Sequence, residues 1–399
     1  MTDSAKAMLT GLPAAARLTT PADVAGLLAE QGRALGAEQV TVYLVDHEQS
    51  SLVPLPQHGS TYGPLSIDST LAGRCFRLLE MLRADGGRRV WTPLLDGLER
   101  LGVVQLEFPE TGDRATDEQL NAFATLIAEL VLVKNSYGDL FALVRRSRPM
   151  SLAAEIAWNL LPPLTFGTDR LVISSVLAPA YEVGGDTFDY AVDATSARFA
   201  VFDAMGHGLA AGWLATVAIG AYRGARRRGL DLSGTVHAVD EAIATNFPGD
   251  CFVTGLLAEL DLASGALHWH SAGHPAPLLL RDGRVVKTLE MEAGLPLGMK
   301  QLGGASQFGE ESLQPGDRLL VYTDGVVEAR AADGEFFGLE RLADLVARES
   351  TAELPVPETM RRLMHAILAH QHGELQDDAT TMLVEWQGGG GRRIDPTRS

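Results

Sequence analysis

Five aspartates stand where this sequence could assemble carboxylate chemistry. Asp186 closes the run Tyr181-Glu182-Val183-Gly184-Gly185-Asp186, and Asp203 follows Arg198-Phe199-Ala200-Val201-Phe202. Asp324 follows Arg318-Leu319-Leu320-Val321-Tyr322-Thr323, and Asp377-Asp378 opens onto Thr380-Thr381-Met382-Leu383-Val384. The flanking segments read as strands, so the carboxylates sit at strand ends, which a folded sheet can bring to one spot. Carboxylates gathered in this way repel one another unless cations hold them together, and hard oxygen ligands suit Mg²⁺ or Mn²⁺. Singly, each aspartate reads as a cap or turn residue. Together they predict a carboxylate metal site.

Two other constellations compete. In Phe202-Asp203-Ala204-Met205-Gly206-His207-Gly208 a strand passes into a helix, whose N-terminus favours a phosphate-like anion. Gly206-x-Gly208-x-x-x-Gly212 is a poor dinucleotide fingerprint, because its third glycine is displaced and the following strands are hairpin-connected. His268-x-His270-x-x-x-His274 invites a zinc reading, since alternation puts the first two on one strand face. An exposed strand face explains that pair equally well. Ala272-Gly273-His274-Pro275 is a turn, from which His274 can approach a site.

The elements that must position these residues fall into two groups. Thr20-Pro21-x-Asp23 starts a helix with Val24, Leu27, Leu28 and Leu35 on one face, and a strand follows at Gln39–Val45. After a loop-rich stretch to about residue 87, strands are expected over 88–94 and 101–108. Thr116-Asp117-Glu118-Gln119 is a capping box opening a helix that carries Leu120, Phe123, Ile127 and Leu130. Residues 1–18 read as a flexible N-terminus, 19–136 as an α+β domain, and 137–167 as a helical linker serving as packed helices, lever or dimer seam. The region 168–386 is strand-rich, with helices at Gly208–Arg227, Leu232–Asn246, 339–349 and 357–371. An antiparallel run is expected over 254–261, 266–271, 277–281 and 285–289. Residues 387–399 form a Gly/Arg tail expected to be disordered.

Composition narrows the functions. The 399 residues are 46% hydrophobic and 21% charged, a globular composition with room for two or three domains. A net charge of −18 opposes general binding to nucleic acid or anionic membrane. Arg226-Arg227-Arg228 reads as a solvated helix end. Cys75 and Cys251 read as free buried thiols, and with neither a signal pattern nor a long apolar run a cytoplasmic location is expected.

The ordered series Val183-Gly184-Gly185-Asp186, Asp203-x-x-Gly206-His207-Gly208, Ala272-Gly273-His274-Pro275, Gly294-Leu295-Pro296-Leu297-Gly298, Pro315-Gly316-Asp317…Tyr322-Thr323-Asp324-Gly325 and Asp377-Asp378-x-Thr380 resembles the bacterial SpoIIE/RsbU-like branch of the PPM-type (type 2C-like) serine/threonine phosphatases. The N-terminal domain resembles a GAF sensor. The resemblance implies a four-layer α/β/β/α antiparallel sandwich behind an α+β GAF-like domain. It also implies two Mn²⁺ or Mg²⁺ ions bridged by Asp203. Asp186 and the Ala204 carbonyl would complete one ion, and Asp324 with Asp377 the other, Asp378 being the rival of Asp377. A water activated between the ions would attack phosphoserine or phosphothreonine, with Asp186 and Asp203 in the catalytic set. His207 is a candidate general acid, or else a turn-stabilising residue. Thr187 stands where the family usually has an aromatic residue. The implied partner is a phosphorylated STAS-type anti-sigma factor antagonist in a partner-switching pathway, with a small-molecule or protein signal at the GAF-like domain. A homodimer is the expected assembly. The competing expectation is a pseudophosphatase that senses a ligand without catalysis.

Overall fold

A computed structural model describes all residues except 1–14, 58–61, 111–114, 183, 248, 250, 293, 300–305, 352–353, 372–376 and 389–399. Most of the expected flexible N-terminus and tail, together with Val183, lie outside the described residues. The chain divides after Arg148 into two compact units.

The first unit is a six-stranded antiparallel sheet in the order β3-β2-β1-β6-β5-β4. Its strands are β1 (Gln39–Val45), β2 (Ser51–Pro54), β3 (Leu65–Ser66), β4 (Leu82–Ala84), β5 (Arg89–Asp96) and β6 (Glu99–Glu107). One face packs Val40, Val42, Leu44 and Leu106 against α1 (Val24–Ala34) and α3 (Asp117–Asn135). The Thr116 capping box starts α3 as the sequence predicts. The other face is filled by Tyr43, Trp91 and Val103 against Cys75 and Phe76 of α2 (Leu71–Leu78). The stretch expected to be loop up to residue 87 holds β2, β3, α2 and β4. Those strands are two to four residues long and the helix eight, too short to build up a periodic signal. The expected linker is also divided. Helix α4 (Leu140–Val144) buries Phe141 in the first unit's core, whereas α5 (Leu152–Leu160) buries Ala154 in the second's.

The second unit stacks two antiparallel sheets. One has the order β15-β12-β11-β10-β9, the other β14-β13-β16-β17-β8-β7. The first contains β9 (Asp186–Val192), β10 (Ser196–Ala204), β11 (Val253–Asp261), β12 (Ala266–Ala272) and β15 (Gly309–Ser312). The second contains β7 (Thr165–Gly167), β8 (Leu171–Ala178), β13 (Leu278–Arg281), β14 (Arg284–Thr288), β16 (Arg318–Tyr322) and β17 (Ala379–Trp386). Alternation along β10 explains the layering. Phe199 and Val201 join Leu256, Val321, Met382 and Val384 between the sheets, while Ala200, Phe202 and Ala204 face the helices α6 (Gly208–Arg227) and α7 (Leu232–Asn246). After the short α8 (Asp324–Val327), helices α9 (Leu339–Thr351) and α10 (Val356–His370) serve the other sheet, α10 packing on β8 and β17. This is the four-layer α/β/β/α sandwich.

Two expectations change. The hairpins β11–β12 and β13–β14 form, but β12 and β13 belong to different sheets, and the Gly273-His274-Pro275 turn carries the chain across. Their local turn chemistry reads alike, and sheet membership is decided by which layer each strand's apolar face meets. The Arg226-Arg227-Arg228 cluster is not wholly solvated either. Arg226 lies 2.9 Å and Arg223 2.8 Å from the buried carboxylate of Asp189 on β9, and Arg223 also donates to the Leu160 carbonyl. A buried charge needs such partners, and these anchor the C-terminal half of α6.

Candidate metal centre

The five aspartates meet at one edge of the sandwich, each sheet supplying part of the set. Register places Asp186 opposite Asp203 on neighbouring strands, and such cross-strand partners project to the same face. From the second sheet, Asp324 follows β16 and Asp377-Asp378 precede β17. The Thr323 N–H donates to the Thr380 carbonyl (3.0 Å), which keeps the ends of β16 and β17 together. Two threonines that sequence reasoning passed over tie the carboxylates down. Thr323 Oγ1 donates to Asp186 Oδ2 (2.8 Å) and accepts from the Thr380 N–H (2.9 Å), while Thr254 Oγ1 is 3.4 Å from Asp203 Oδ2. A threonine before Asp324 reads in sequence as a helix cap, and nothing local marks Thr254.

The rivals Asp377 and Asp378 differ sharply in their surroundings. Asp378 Oδ2 accepts from the backbone N–H groups of Gly184 (2.7 Å), Gly185 (2.6 Å) and Asp186 (3.2 Å). It is committed to holding the loop that carries Asp186. Asp377 is exposed and, among the described residues, accepts only from the Asp378 N–H (2.9 Å), while its charge acts on Asp203 and Asp324.

Two glycines permit this closeness. A Cβ on Gly185 would lie 2.4 Å from the Ala204 carbonyl oxygen, and one on Gly325 would lie 1.9 Å from that of Asp378. Gly325→Ala is therefore expected to force apart the segments bearing Asp324 and Asp378. The cost, about 1–3 kcal/mol for overpacking of this kind, is measured as a lowered urea midpoint, and metal-dependent activity should fall with it.

The electrostatics are those of an uncompensated anionic cluster. Burial raises the Asp203 carboxyl to about 7, with the charges of Asp324, Asp377 and Asp378 adding to it. Burial, then Asp203 and Asp378, hold Asp186 well above the ordinary carboxylate range. Asp324 is raised by burial and then by Glu328 and Asp377. Burial also raises Asp378, against its three N–H donors. The strongest charges acting on each carboxylate are other carboxylates, so protons or metal cations must supply the balance.

The donor set fits hard divalent ions. Among the described residues no three His, Cys, Asp or Glu side chains converge closely enough to ligate one ion by themselves. Mg²⁺-like ions characteristically keep several waters and take only one or two carboxylates, so they do not need three such side chains at one point. Residues suited to hold them are Asp186, Asp203, the carbonyl of Ala204, Asp324 and Asp377.

His207 lies in the loop after Ala204, as the exposed N-cap of α6 without a side-chain capping bond. The three zinc candidates are dispersed. His268 is half-exposed beside Glu310 (3.5 Å), the His270 Nδ1 lies 2.7 Å from the Gln307 carbonyl, and His274 is buried in its turn.

Residues 193–387 match the family described as stage II sporulation protein E (SpoIIE), a span holding Asp203, Asp324, Asp377 and Asp378 but not Asp186. Phosphoserine phosphatase RsbU of Bacillus subtilis (strain 168) is 24% identical over 59% of this chain and 69% of its own length. Phosphoserine phosphatase RsbP of the same organism is 28% identical, over 46% of each chain. Among solved structures, the RsbU and RsbW domains of Rv1364c from Mycobacterium tuberculosis align with 27% identity and a TM-score of 0.49, over 55% of this chain and 62% of that one. The chain thus spans less than two thirds of RsbP and of the Rv1364c structure. Among the described residues no helix is long and apolar enough to cross a membrane.

Proposed function

We propose that this chain, whose residues 193–387 match the SpoIIE family, is a metal-dependent protein serine/threonine phosphatase. The observation that carries the reading is the gathering of five aspartates from both sheets at one edge, with like charges left for cations to balance. Two Mn²⁺ or Mg²⁺ ions, when bound, would lower the pKa of a water and offset charge on the phosphoryl oxygens.

The chain's own residues divide the remaining work. Asp203, central to the set, would hold both ions, with Asp186, oriented by Thr323, and the Ala204 carbonyl as further ligands of one and Asp324 and Asp377 of the other. Asp378 acts as the brace of the Gly184–Asp186 loop and not as a primary ligand. To His207, exposed in the loop after Ala204, we assign the proton given to the leaving serine oxygen. The substrate we infer is a phosphorylated STAS-type anti-sigma factor antagonist, with the first unit acting as a GAF-like regulatory domain.

Phosphate release from p-nitrophenyl phosphate and from a phosphorylated STAS protein, with Mn²⁺ and with EDTA, tests the reading. Activity on both substrates that requires metal is expected, and metal-loaded protein inactive on both would refute it. A second reading, a ligand-binding pseudophosphatase, draws on the absence among the described residues of three converging ligands. Calorimetric titration with Mn²⁺ separates them: the phosphatase takes up two ions, the pseudophosphatase none. Removing residues 1–148 tests the regulatory role, because unchanged activity would exclude it.

A further inference from the structure

Beside the carboxylates lies an apolar cleft of about 490 Å³ that the chemistry above does not use. Met205, Ala210, Trp213, Val217, Phe247 and Cys251 line it. Ala210, Trp213 and Val217 recur at helical spacing on one face of α6, while Phe247 and Cys251 come from the segment that leads from α7 into β11. Cys251, expected to be buried, is only partly so. Trp213 keeps 53% of its surface exposed and Met205 40%.

Both walls run directly into the candidate metal centre. Met205 follows Ala204, and its N–H donates to the Phe252 carbonyl (3.2 Å). Two residues beyond Phe252, Thr254 touches Asp203. Backbone segments 203–205 and 252–254 therefore join the carboxylate set to the cleft, which the chain lines at Met205 and at Cys251, the residue before Phe252.

A protein substrate must rest on the surface around the scissile phosphate. Ions held by the carboxylates would engage the phosphoryl group and leave the residues that flank it to find contacts elsewhere. Among the described residues the lining of the cleft carries no charged side chain, which suits an apolar side chain. Half-exposed Trp beside other apolar side chains is the composition from which protein-binding hot spots are made. The cleft has room for a side chain or two, far from the roughly 800 Å² per partner that a stable dimer buries.

Resting on the phosphatase reading, we propose that this cleft docks a large apolar side chain flanking the phosphoserine, so that the preferred substrate is a phosphoserine segment with a neighbouring Leu or Phe.

The test uses the full chain and short phosphoserine peptides of equal charge. One series carries Leu or Phe at successive positions on either side of the phosphoserine, and the other has Ser in its place. With Mn²⁺, kcat/KM is expected to be about tenfold higher for the best Leu or Phe peptide, the discrimination typical of an apolar pocket. Trp213→Ala should remove the preference and leave hydrolysis of p-nitrophenyl phosphate unchanged. Ala210→Glu, which puts a carboxylate at the exposed mouth without emptying the core, should do the same. A wild-type enzyme without preference, or a Trp213→Ala variant that keeps it, overturns the proposal. A concentration-dependent dimer broken by Ala210→Glu, with no peptide preference, assigns the cleft to a second copy and overturns it too. If the wild type hydrolyses nothing, the phosphatase reading is what fails. Polarisation of the labelled Leu or Phe phosphopeptide in EDTA then decides the cleft separately. Binding lost in Trp213→Ala upholds it, and equal binding refutes it.

Discussion

Asp203→Asn is expected to abolish metal-dependent phosphate release and at the same time to make the metal-free protein more stable. The loss follows from the position of Asp203 between its neighbours: three other carboxylates act on it, and it pairs in register with Asp186. Removing its charge takes away the group that both halves of the set share. A fall in kcat/KM on p-nitrophenyl phosphate of at least ~10²–10³-fold is expected, the range found when one strong electrostatic contact to a transition state is deleted. The gain in stability follows from the same geometry. A buried carboxylate among carboxylates, without cations, is a repulsive charge, and an amide keeps an oxygen to accept from Thr254. In EDTA at pH 8 the variant should melt several degrees above wild type, a gain of about 1–2 kcal/mol at ~2–4 °C each. With Mn²⁺ the order should reverse, because only the wild type gains from binding. An active variant, or one less stable than wild type in EDTA, would contradict the assignment of Asp203.

Stability of the metal-free protein should fall as pH rises through neutrality. Folded Asp203 holds its proton up to about 7, whereas the unfolded side chain releases it near 3.8. Between those values the folded state binds a proton that the unfolded state does not. Each pH unit in that window weakens the fold by ~1.4 kcal/mol for a single group of this kind. The stabilisation is full below about pH 4 and lost above about pH 7. Asp186, Asp324 and Asp378 are shifted in the same direction and deepen the loss. Thermal melts in EDTA should therefore drop between pH 5 and pH 8, and saturating Mg²⁺ or Mn²⁺ should flatten the curve. Metal and proton compete for the same oxygens, so metal affinity itself should rise with pH. A melting temperature independent of pH in EDTA would show that the carboxylates are not gathered as described.

The candidate site was legible in sequence wherever its cause is local. Asp203 follows the continuous apolar run Phe199-Ala200-Val201-Phe202, which reads as a buried strand, and Asp324 follows a similar run at Leu319-Leu320-Val321-Tyr322. What distant chain segments decide was not legible. Asp377 and Asp378 are adjacent and chemically identical, and only the arrival of the Gly184–Asp186 loop makes one of them a triple acceptor. Thr254 matters because register sets it opposite Asp203. The change of sheet between β12 and β13 is hidden for the same reason, since the turn reads like the hairpin turns around it. In the first unit the missed elements are the shortest ones, whose few residues cannot display a period.

The bonds from Asp378 to the Gly184–Asp186 loop and from Thr323 to Asp186 run between the two sheets. Neither layer of the sandwich owns a complete site. A slip of one layer against the other by a fraction of a strand repeat would part Asp186 and Asp203 from Asp324 and Asp377 while leaving every ladder hydrogen bond within each sheet intact. Catalytic competence is then a vernier on the alignment of the layers, finer than any probe of secondary structure. Heat or denaturant should extinguish activity before circular dichroism records unfolding.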